Sequence, residues 1–235
     1  MGTRHLIAVI DRKGTLKVAQ YGQWDGYPSG QGVDALKFAK NKVLLDELEK
    51  RFDIIKFYND THEIDRWIQQ YDSRAEIESN KHISEQARTL GGRTDSDVYW
   101  WNTTQTRDLG ADILKTLIDI DTKRLPQEHN GYIYLFNDIE FLKDSLLCEW
   151  AYIIDLHTNK LLVLEGFNED KSKEYQLCIT KQEDVDKEFE NRTKYYGCTL
   201  LKEYDLDDLP SEDEFLTDLE GDDEEWNFRP MLDTF

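Results

Sequence analysis

His5-Leu6-Ile7-Ala8-Val9-Ile10 is a continuous apolar run too short for a helix, and Arg12-Lys13-Gly14 supplies a hairpin turn before a second strand-like stretch, Thr15 to Tyr21. Both faces of the first run are apolar apart from His5, which predicts a central strand covered on both sides. The hairpin runs into Tyr21-Gly22-Gln23-Trp24-Asp25-Gly26-Tyr27-Pro28-Ser29-Gly30-Gln31-Gly32, a glycine-rich loop packed with aromatic and polar side chains. From about Gln31 the spacing of Val33, Leu36, Ala39, Val43, Leu44 and Leu48 predicts one long amphipathic helix. The loop is therefore a strand-to-helix turn, where backbone N–H groups are exposed and ligands often sit.

Further along, Ile54 to Tyr58 reads as a strand, and Asp60 with Glu63 resembles a capping box ahead of a helix carrying Ile64, Trp67, Ile68 and Tyr71. Polar residues from about Asp72 to Asp97 read as a short helix and an exposed connection. A helix with Leu109, Ile113, Leu117 and Ile120 follows, capped by Thr106 or Asp108. After Pro126 the character turns to sheet: Tyr132 to Phe136, then Glu149 to Leu156 and Lys160 to Glu165 joined by His157-Thr158-Asn159, then Tyr175 to Thr180. Glu183 to Phe189 is a charged helix. Strands at both ends with helices between predict an α+β fold, its mainly antiparallel sheet shared by N- and C-terminal strands.

Charge separates the chain into two parts. The 235 residues carry a formal charge of −20, and the segment from Glu203 to Phe235 holds 14 acidic residues against Arg229 alone. The reading is a single domain over 1–202 and an acidic tail over 203–235. Within the tail, Ser211 and Glu214 form a capping box opening a short helix through Phe215, Leu216 and Leu219, and Trp226, Phe228, Met231, Leu232 and Phe235 follow as apolar anchors. Such acidity argues against direct nucleic-acid binding and against anionic membrane surfaces, and no apolar run reaches membrane-spanning length. The N-terminus reads straight into a strand without a signal-peptide core, so the expectation is a cytoplasmic protein. Cys148, Cys178 and Cys198 read as buried thiols, and five scattered histidines form no metal-binding spacing, so neither a metal nor a cofactor is expected.

The loop holds most of the residues that would carry chemistry. Gly30 allows close backbone approach, Ser29 would cap the following helix, and an anion there would be favoured by free N–H groups. It is not a Walker A loop, because no Gly-Lys-Ser/Thr follows, and it lacks the dinucleotide glycine spacing. Trp24 and Tyr27 would stack on a flat ligand while Asp25 orients it, or these aromatics fill the corner between strand and helix. An enzyme reading gathers His5, Asp25 and Glu149 as catalytic groups, with His5 or Glu149 as general base and Arg4 or Arg107 holding an anionic substrate. Arg4 and His5 point to opposite faces of a regular strand. Thr3 would suit an N-terminal nucleophile, but removal of Met1 exposes Gly2 instead.

Met1-Gly2-Thr3-Arg4-His5-Leu6-Ile7 together with the Tyr21–Gly30 loop resembles a family of uncharacterised phage, bacterial and fungal proteins opening with Met-Gly-Thr-Arg and carrying a Trp-Asp-Gly-Tyr-Pro-Ser-Gly-like loop. Arg107 to Leu114 and Cys148 to Tyr152 are also similar to that family, and the acidic tail is not. The resemblance supplies no activity and implies a phage or mobile-element accessory role. Two functions follow as expectations. One is a ligand-binding or hydrolytic domain for a small anionic or amide-bearing molecule, with its site at Trp24–Gly32. The other is an inhibitor of a host defence protein, binding through an acidic, nucleic-acid-mimicking surface and through Trp226 and Phe228. The oligomeric state is not legible.

Overall fold

The computed structural model describes residues 2–57, 109–120, 132–177 and 194–220. In chain order the elements are β1 (His5–Ile10), β2 (Leu16–Gly22), a helical turn (Pro28–Gly32), α1 (Val33–Lys40), α2 (Lys42–Glu49), β3 (Ile55–Phe57) and α3 (Asp112–Asp119). They continue with β4 (Ile133–Leu135), a 3₁₀ turn (Ile139–Lys143), β5 (Trp150–Asp155), β6 (Lys160–Glu165), β7 (Thr199–Asp205) and α4 (Glu212–Glu220).

Five strands form one sheet in the order β2-β1-β5-β6-β7, and β3 and β4 pair separately. N- and C-terminal strands do share a sheet, as an α+β fold requires, but it is mixed rather than mainly antiparallel. β1 runs parallel to β5, with His5 opposite Trp150 and Ile10 opposite Asp155, and β3 runs parallel to β4. The physical reason lies in the hydrophobic pattern: β1 and β5 are buried along their whole length, the pattern of a parallel pair covered on both faces.

Alternation sorts the side chains into two cores. Ile7 and Val9 of β1, with Trp150, Tyr152 and Ile154 of β5, face the helices, meeting Leu36, Phe38, Leu48, Leu114, Leu117 and Phe215. Leu6, Ala8 and Ile10 face the other way, with Ala151, Ile153, Leu164, Cys148 and Cys198 under Ile139 and Leu142. Both hairpins close on an aspartate. Asp11 accepts from the Lys13 and Thr15 N–H groups at 2.8 Å, and Asp155 accepts from His157 N at 2.9 Å and Thr158 Oγ1 at 2.7 Å.

The single long helix expected after the loop is two helices. Asn41 leaves helical geometry, and its side chain accepts from Leu44 N at 3.2 Å, capping α2; Val43 consequently stands exposed. The expected boundary at residue 202 falls within β7. The capping box beyond it is present: Glu214 Oε2 accepts from Ser211 N at 2.8 Å and Ser211 Oγ accepts from Glu214 N at 3.2 Å. α4 then seats Phe215 and Leu219 in the helical core, so the acidic segment is folded onto the sheet as far as Glu220. Of the strand expected from Tyr175 to Thr180, the described residues Tyr175 to Leu177 form none; Glu174 bridges Thr199, Tyr175 N–H donates to the Cys198 carbonyl at 2.9 Å, and Tyr175 and Leu177 pack on the second core. Outside the described residues lie the Asp60 helix, the rest of the 58–108 connection with Arg107, the Glu183 helix, Cys178, Trp226 and Phe228. Among the described residues no helix is long and apolar enough to cross a membrane.

Candidate functional site

The loop forms a corner tied to distant parts of the chain. Gly26 N–H donates to the Thr3 carbonyl at 2.9 Å, and the Tyr152 hydroxyl donates to the Gly26 carbonyl at 2.9 Å. Gln31 N–H closes on the Asp25 carbonyl at 2.9 Å, while its side-chain oxygen accepts from Ala111 N at 2.7 Å ahead of α3. A methyl at Gly26 would fall 2.7 Å from the Thr3 carbonyl oxygen and 2.8 Å from His5 Cβ, so glycine is needed there for close approach. Asp25 takes φ +57°, a conformation aspartate tolerates better than most residues.

His5 lies beneath this corner, 1% exposed, against Gly22 and Gly26. Neither ring nitrogen has a hydrogen-bond partner among the described residues. Burial pushes the ring's pKa from 6.5 to about 4, only partly opposed by the Thr3 backbone and the Asp25 carboxylate. The imidazole is neutral at pH 7 and sealed in.

Beside the corner, at the end of the sheet where β1 and β5 begin, opens a cleft of about 370 Å³ lined by Thr3, Tyr27, Ser29, Glu149, Trp150, Phe167 and Glu220. Such a volume lies within the roughly 300–1,000 Å³ of small-ligand pockets. Of the candidate residues, the structure brings Tyr27, Ser29 and Glu149 together here. Arg4 stands behind Glu149, its Nε and Nη2 each 3.4 Å from Oε1 and its backbone N–H 3.2 Å from the same oxygen. Asp25 bonds the Tyr27 hydroxyl at 3.2 Å and, through that bond first and its charge second, raises the Tyr27 pKa, keeping the phenol protonated. Trp24 packs against Gly2 rather than into the cleft, and Gly30 lies under the Tyr27 ring. His5 does not line the cleft, and Arg107 lies outside the described residues.

Ser29 does not cap a helix with its side chain; its backbone N–H donates instead to Glu220 Oε1 at 3.0 Å. The place expected for a bound anion is thus held by the protein's own carboxylate. Sequence reasoning did not assign Trp150, Phe167 or Glu220 to a site. Trp150 reads as a strand residue and Glu220 as one acid among many. Phe167 is the one with a local signal, a large apolar residue in the polar Gly166–Asp170 stretch. It takes φ +56°, held by its N–H donating to the Ser145 carbonyl at 2.7 Å, and its ring meets Tyr195 edge-on at 6.2 Å. Among the described residues no cluster of three His, Cys, Asp or Glu is placed to hold a metal. Comparison with protein-family models, with curated proteins and with solved structures finds no match to this chain.

Proposed function

We propose that this protein is a small-molecule-binding domain whose site is the cleft between the Tyr27–Ser29 side of the loop, the start of β5, and Phe167. The observation that carries this reading is the lining itself: a pocket of ligand size joins aromatic surface to two carboxylates. Tyr27 and Phe167 are 38% and 43% exposed, large apolar groups left uncovered in one place. Amide N–H groups of a ligand would be accepted by Glu149 and Glu220, while its flat or apolar part would lie on the rings. A hydrolytic version would use Glu149 as the base toward a water, with Arg4 positioning its carboxylate.

Thermal-shift screening against a library of amides and amines tests the proposal. A stabilising compound whose effect is lost in Tyr27→Ala and Phe167→Ala supports it; compounds that stabilise wild type and both variants equally place binding elsewhere and refute it. The reading as a protein inhibitor draws on the exposed acids of the first turn of α4, Glu212, Asp213 and Glu214. Removal of residues 221–235 tests the tail, because a cut at 203 would delete core-packing Phe215, and Asp213→Lys tests the acids of α4; undiminished capture of a host partner by both proteins would argue against this reading.

A further inference from the structure

Resting on the cleft-binding reading above, we infer that the ligand carries an organic cation, an alkylammonium head, which the cleft takes between aromatic rings and carboxylates. Three observations converge. Tyr27 and Phe167 supply exposed aromatic surface from two separate segments of chain, with the largely buried Trp150 also in the lining, and ring faces attract cations through their quadrupoles. Glu149 and Glu220 line the same space, and among the described residues no lysine or arginine lines it, Arg4 pairing with Glu149 without being part of the lining. Finally, the bonds made among the described residues leave acceptor capacity: Arg4 reaches Glu149 through Oε1 and Ser29 reaches Glu220 through Oε1, and no described residue bonds either Oε2.

Arg4 already offsets the Glu149 charge, but Glu220 is met only by the Ser29 N–H among the described residues, so a neutral ligand would leave that carboxylate uncompensated as it displaced water, and an anion would face it. A small metal ion such as magnesium holds its water shell tightly and would meet the rings only through that water. An alkylammonium satisfies both parts of the lining, since its methyl or methylene groups pack on the rings while its charge is shared by the two acids.

The test is calorimetric titration of the full chain with tetramethylammonium, with choline, with choline's uncharged isostere in which carbon replaces the quaternary nitrogen, and with magnesium chloride. The expected result is binding of choline roughly tenfold or more tighter than its isostere. Glu220→Gln keeps an oxygen for the Ser29 N–H but removes the charge, and is expected to weaken choline several-fold without changing the isostere. Phe167→Leu, at an exposed position, is expected to weaken tetramethylammonium. Equal binding of choline and its isostere overturns the cationic head while leaving the cleft as a binding site. Magnesium binding without choline binding overturns it as well. A library amide lost in Tyr27→Ala, with all four probes silent, overturns this inference alone; silence of probes and library together overturns both readings.

Discussion

Acid should destabilise this protein through one buried imidazole. In the folded chain His5 titrates at about 4, against 6.5 for a free ring. Between those values the unfolded chain binds a proton that the folded chain refuses, so unfolding becomes easier as pH falls. The His5 contribution is fully present above about pH 6.5, declines through the window, and changes no further below about pH 4. With about 1.4 kcal/mol for each tenfold proton-binding difference, the loss amounts to about 2 kcal/mol between pH 7 and pH 5 and about 3 kcal/mol at the bottom of the window. Carboxylates also titrate there, so the assay compares two proteins. Urea unfolding of wild type and His5→Leu at a series of pH values isolates the imidazole, because leucine is similar in volume and cannot be protonated. Wild type should lose about 2 kcal/mol more than the variant on going to pH 5. Parallel pH profiles, or an NMR titration of His5 near 6.5, would refute the sealed corner.

Two further outcomes test the packing around the site. Phe215→Ala removes a fully buried ring from α4 and should cost about 3–5 kcal/mol in urea unfolding; a loss below about 1 kcal/mol would mean that the acidic helix is not seated on the sheet. Tyr152→Phe takes away the donor to the Gly26 carbonyl and should cost about 1–2 kcal/mol, with faster hydrogen exchange at the loop amides, and unchanged exchange would show that the bond does not hold the corner.

The fold was largely legible where local physics decides. The two hairpins, the α4 capping box and the burial of β1 all follow from alternation, turn chemistry and apolar runs. Strand direction was not, because hydrophobicity records which face is buried and not which neighbour lies alongside. A hint was nonetheless present: β1 and β5 are both continuous runs, and continuous runs favour parallel partners. The break at Asn41 was hidden for a different reason. Leu44 and Leu48 keep the helical stripe going across it, so only the competing side-chain cap reveals two helices.

The cleft was legible only on one wall. Tyr27 and Ser29 announce themselves in a glycine-rich loop, but Trp150, Phe167 and Glu220 arrive from three later segments, and no pattern in one sequence says that they converge. What unites them is the Gly26 corner. Its carbonyl is held from β5 by Tyr152, and its N–H is held from the chain start by Thr3. Those two bonds fix Tyr27 relative to the strand that delivers Glu149 and Trp150, while Ser29 fixes the end of α4 that delivers Glu220. The same corner seals His5, whose ring nitrogens have no partner in full hydrogen-bond geometry among the described residues, only the weak pull of the nearby Thr3 backbone. The loop's structural role and its proposed binding role are therefore not competitors. A wall positioned from several directions is what a preorganised site requires, and here the packing that closes the corner is what positions that wall.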